Sequence, residues 1–66
     1  MRHRNLALVG RTVAVRVLPI VNGDVQPQHL IVKVEAVHPD GTEIGGTDED
    51  GNTVAYPTGD IVRVFV

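Results

Sequence analysis

The chain has 66 residues, a formal net charge of −2, no Cys and no Trp, and only 3% of its residues are aromatic. That is the size of one small domain; it excludes disulfides and thiolate metal sites and gives no general attraction to nucleic acid. No apolar run approaches the roughly 20 residues that span a bilayer, and the run after the basic start is too short for a secretory signal, so a soluble, cytoplasmic protein is expected.

Residues 1–10 form an N-terminal segment. Met1-Arg2-His3-Arg4-Asn5 is basic, and Leu6-Ala7-Leu8-Val9 reads as one helical turn stopped by Gly10 or as a short strand. Residues 11–66 are expected to form a single domain. From Thr12 to Val17 the chain alternates, with Val13, Val15 and Val17 on one side and Thr12, Ala14 and Arg16 on the other. This is the pattern of a half-buried strand. Pro19 lacks a backbone donor and belongs near its end. Residues 22–28 (NGDVQPQ) form a polar connection, longer than a tight hairpin turn. A loop of that kind is either a simple connector or a place for binding residues.

The stretch 29–47 reads as a β-hairpin closed at His38-Pro39-Asp40-Gly41. Pro presets the backbone of the turn, and Gly accepts the left-handed conformation that follows. Before the turn, Leu30, Val32, Val34 and Ala36 share one face, and Ile31, Lys33, Glu35 and Val37 the other. After it, Gly45-Gly46 predicts a bulge or a bend. Asp50-Gly51 predicts a second turn within 48–52. Thr53 to Tyr56 is a short strand, broken by Pro57-Thr58-Gly59-Asp60. The last strand starts at Ile61, with Val62, Val64 and Val66 facing the core and Ile61, Arg63 and Phe65 facing outward.

Five short strands with short turns predict an all-β, five-stranded small barrel, because closure removes exposed edges. The order of elements from Arg11 to Val66, with a longer first loop and a one-turn break before the last strand, resembles the SH3-like barrel. That resemblance implies a first strand lying between the last strand and the start of the second. A narrower resemblance is to Sm-like RNA-binding proteins. It rests on Leu6-Ala7-Leu8-Val9-Gly10-Arg11-Thr12-Val13-Ala14-Val15 as the entry into a Val-rich first strand, and on Thr58-Gly59-Asp60-Ile61 as the second Sm motif. Thr58 stands where that motif carries a basic residue, and no Asp-x-x-x-Asn pattern lies near Asp48. No ligand residue therefore carries over.

The expected function is a non-catalytic interaction module that binds a protein partner or a second copy of itself, with no cofactor and no metal. Ile31, Ile61 and Phe65 are the candidate contact residues, since each falls on an outward face; Leu18 and Ile20 also lack an inward place. The alternative is nucleic-acid binding through Arg11, Arg16, Lys33 and Arg63. The barrel order would gather these cations on one surface, where they could contact phosphates. Cations dominate the first half of the chain and acids the second. Only Tyr56 and Phe65 could stack on bases. His3, His29 and His38, with Asp24 or Asp40, show no metal-ligand spacing. Asp48-Glu49-Asp50 lacks the alternation and the distal Glu of a calcium loop. With no Ser, no Cys and no His placed beside a nucleophile, acyl transfer has no machinery, and an active site is conceivable only if shared between copies of an oligomer.

Overall fold

The computed structural model describes residues 7–65. Leu6, the basic run before it, and the Val66 end of the expected core row lie outside the described residues. The elements are β1 (Thr12–Val17), β2 (Ile20–Val21), β3 (Asp24–Val25), β4 (Gln28–Val37), β5 (Glu43–Asp48), β6 (Thr53–Pro57), a 3₁₀ turn (Thr58–Asp60) and β7 (Ile61–Phe65). The five longer strands form one antiparallel sheet in the order β6-β5-β4-β1-β7. The all-β, five-stranded expectation holds, but the sheet does not close into a barrel. It stays open, with β6 and β7 as its edges.

The expected loop 22–28 is instead the tip of a ribbon. In every β1–β4 pair, from Thr12 with Lys33 to Val17 with Gln28, the two residue numbers add up to 45. The pairs Ile20 with Val25 and Val21 with Asp24 keep the same register. Between them the Gln26 amide donates to the Pro19 carbonyl at 2.9 Å. One hairpin therefore runs from β1 through β2, turns, and returns through β3 into β4. Its turn is Asn22-Gly23, with φ of 52° and 85°. Two consecutive positive φ values give the tight turn whose twist matches a hairpin. The ladder is interrupted at Pro19, which has no N–H to return a bond to Gln26.

Two bulges change the faces read from strict alternation. In the β4–β5 pair the register shifts between Val34 and Ala36, so Glu35 has no residue opposite it. The bulge reverses the parity beyond it: Ala36 is exposed and Val37 packs against the core. It lies opposite Gly45 and Gly46, so the glycine pair marks a bulge carried by its partner strand. In the β1–β7 pair the register shifts between Ala14, opposite Arg63, and Val15, opposite Ile61, leaving Val62 unopposed. Ile61 consequently turns to the core. Val62 and Val64, expected in the core row, are 51% and 41% exposed.

The core lies on one face of the sheet. Val13, Val15, Val32, Val34 and Ile44 are its fully buried side chains. Leu8, Val17, Val37, Val54, Tyr56 and Ile61 pack around them. Residues 7–10 form a turn in which the Arg11 amide donates to the Leu8 carbonyl (2.8 Å), holding Leu8 against the core. Burial of each Val or Ile contributes about 1.5–3 kcal/mol, so a core of this size stabilises the fold modestly.

Candidate functional site

β-Strand alternation and direct pairing place side chains on the face opposite the core. On β1 these are Thr12, Ala14 and Arg16; on β4, their pairing partners Lys33, Ile31 and His29; on β7, Phe65 opposite Thr12 and Arg63 opposite Ala14. Ala14 is only 5% exposed on this outer face, because Ile31 and Arg63 flank it. Among the described residues the one ion pair is His38 with Asp40, so Arg16, Lys33 and Arg63 have no acidic partner within ion-pair distance. The Arg63 guanidinium instead sits 5.1 Å from the centre of the Phe65 ring.

The three apolar contact candidates are therefore separated. Ile61 packs against the core, while Ile31 and Phe65 are half-buried on the opposite face. Of the four cation candidates, Arg16, Lys33 and Arg63 share the outer face across three adjacent strands. Arg11 is exposed just before β1, at the ladder position facing Val34, on core parity.

The most exposed large apolar side chains include Leu18 (56%), Ile20 (72%), Val25 (58%) and Val62 (51%). Ile20 pairs with Val25 near the ribbon tip. Leu18 and Val62 line one open groove of about 370 Å³ together with Arg16, Gly59 and Asp60. Exposed apolar surface thus runs from the ribbon, through this groove, onto β7. Val62 and Val64 were missed as surface residues from the sequence, and Val25 was read only as part of a polar connection. The available signal was Asn22-Gly23, which fixes the ribbon register once it is read as a two-residue turn. The bulge at Val62 left no such mark.

The polar turns are structural. The Asp40 carboxylate accepts from the Thr42 hydroxyl (2.6 Å), the Thr42 amide (3.0 Å) and His38 Nδ1 (2.7 Å). Thr42 first, then His38, holds the Asp40 carboxyl below its ordinary value of 3.8. Asp48 Oδ1 accepts from the Asp50 and Asn52 amides, both at 2.9 Å, bracing the second turn. There the Gly51 amide donates to the Asp48 carbonyl (3.1 Å), and Gly51 takes φ of 84°. Among the described residues no three His, Asp or Glu side chains converge as a metal requires, and no helix is long and apolar enough to cross a membrane. Comparison with protein-family models, with curated proteins and with solved structures finds no match.

Proposed function

We propose that this chain is a non-catalytic interaction module that binds a second copy of itself, in a cytoplasmic setting. The observation that carries this reading is the exposed apolar surface of Ile20, Leu18 and Val62 at the groove, together with Val64 exposed on the edge strand β7. That strand contains neither Pro nor Lys. Natural edges are blunted by Pro, charged residues and bulges; β7 has the Val62 bulge and Arg63, and its remaining apolar surface is suited to being covered. A second copy is the favoured occupant because small domains without disulfides commonly gain stability by association. The strand order, with β1 between β7 and β4, supports an SH3-like reading of the fold; the open edges depart from a closed barrel.

The test is sedimentation velocity of the full chain from micromolar to millimolar concentration. The expected result is a concentration-dependent monomer–dimer equilibrium, weakened roughly tenfold or more by Val62→Asp, which places a charge in the covered apolar surface. A strict monomer across that range would overturn the proposal. A second reading, binding of a nucleic acid to the outer face, is favoured by one observation: Arg16, Lys33 and Arg63 lie together without an acidic partner among the described residues.

A further inference from the structure

Edge-strand chemistry narrows how such a pair would form. Residues on β1 whose backbone groups serve β4 alternate with those that serve β7. Arg11 bonds to Val34 of β4, so Val13 and Val15 also face β4, while Thr12 and Ala14 face β7. Their partners Phe65 and Arg63 therefore spend their N–H and C=O groups on β1. Val64, between them, presents its N–H and C=O to the open side, where no described strand lies.

Resting on the self-association reading above, we propose that two copies pair antiparallel along β7, with Val64 opposite the partner's Val64. Four registers let outward-facing groups meet near the middle of this strand. Centring on Arg63 sets two like charges directly opposite, which is destabilising. Centring on Val62 uses the bulge, where the ladder is already broken. Centring on Phe65 carries the pairing beyond the described residues. Centring on Val64 uses the whole regular stretch from Arg63 to Phe65 and sets each Arg63 opposite the partner's Phe65. Those are non-hydrogen-bonded positions, where facing side chains approach closest. The cation already seeks a ring, since it lies 5.1 Å from its own chain's Phe65, and the paired arrangement offers it a second one. The two Val64 residues would exchange both of their backbone hydrogen bonds. The surface is self-complementary about a two-fold axis, as a closed dimer requires.

The experiment uses the full chain and two single variants. Val64→Pro removes an N–H that points only to the open edge, where Pro is tolerated. It is expected to keep the circular-dichroism spectrum of the unmodified chain and to weaken dimerisation roughly 30-fold, for the two symmetric bonds lost. Val64→Cys puts the only thiol in a Cys-free chain at the two-fold axis. The paired Cα atoms there would lie about 5.5 Å apart, within disulfide range. A disulfide dimer is expected in a glutathione redox buffer, while Thr53→Cys, on the other sheet edge, stays monomeric by the same measure. If the unmodified chain dimerises but Val64→Cys does not cross-link and Val64→Pro dimerises normally, this register is overturned and the self-association reading stands. If the unmodified chain is monomeric, both fall.

Discussion

Gly45 and Gly46 are neighbours in β5, yet Ala at the two positions is expected to act in opposite directions. A Cβ on Gly46 would fall within the van der Waals envelope of the Lys33 carbonyl oxygen, 2.9 Å from that carbonyl's carbon and 3.2 Å from Val32 Cγ1. Neither neighbour can swing away, because one is backbone and the other belongs to a side chain that is 1% exposed. β5 must move off β4, straining the Lys33–Thr47 pair that bridges the same gap. Overpacking costs about 1–3 kcal/mol, and a weakened ladder bond about 1 kcal/mol more. A loss of about 3 kcal/mol is large against the roughly 3–10 kcal/mol expected for a domain of this length. It would lower the midpoint of thermal unfolding by about 12–24 °C. A Cβ on Gly45 meets only the Val54 carbonyl oxygen, at 3.8 Å, and Gly45 does not use the left-handed region. Gly45→Ala should therefore be neutral, or stabilise by about 0.5 kcal/mol through a stiffer unfolded chain. Urea and thermal unfolding followed by circular dichroism measure both. Gly46→Ala within about 1 kcal/mol of the unmodified chain, or Gly45→Ala as the worse of the two, would refute the close approach of β5 to β4.

The turn between β4 and β5 carries an acid dependence. Because Thr42 and His38 hold the Asp40 carboxyl below its ordinary value of 3.8, its stabilising effect is complete above that value and is lost as pH falls through the lower folded value. Asp40→Asn keeps an acceptor for Thr42 but cannot titrate. It should start less stable at neutral pH and converge with the unmodified chain in acid; parallel stability curves from urea unfolding at stepped pH would rule this out. For the outer face, a mobility-shift titration with mixed oligonucleotides at low salt should show binding that disappears in Arg16→Glu/Lys33→Glu. No shift, or a shift unchanged in the variant, removes the nucleic-acid reading.

The sequence was enough to define β1, the first half of β4 and the turns at Gly41 and Gly51, because there each residue's local preference agrees with its tertiary place. Val13, Val15, Val32 and Val34 read as core and are buried. Strict alternation failed across each bulge, since one unopposed residue puts the side chains before it and after it out of phase. That is why Val37 and Ile61 point inward while Ala36 and Val62 point out. The Gly45-Gly46 pair announced the first bulge without saying which strand carried it. At Val62 the surrounding run of Ile and Val is apolar on both parities, so composition could not fix the register. The ribbon was hidden by Pro19, which read as the end of the first strand, and by Pro27, which read as part of a polar connection. Pro27 faces Leu18 at a position where the ladder needs no N–H, so only Pro19 costs a bond. Of the candidate contact residues, those chosen by parity alone were scattered, whereas the exposed apolar surface followed from a register that a Pro-interrupted strand obscures.

The two sheet edges are unequal, and the inequality bears on what kind of assembly is possible. A head-to-tail contact between β6 of one copy and β7 of the next would leave a free edge at each end and could grow into a filament. β6 resists this. The Thr58 amide bonds back to Thr42, adjoining the β5–β6 ladder, so Thr53, Ala55 and Pro57 are the β6 residues that face outward by alternation. The last of these has no N–H to offer and projects its ring into the path of an incoming strand. β7 is blunted at one end by the Val62 bulge, and among the described residues its open stretch runs from Arg63 to Phe65. A stretch that short, self-complementary about Val64, is used up when one partner has bound. The same bulge that turns Val62 and the groove beside it outward thus also limits how far pairing can run, which favours a closed pair over a chain of copies.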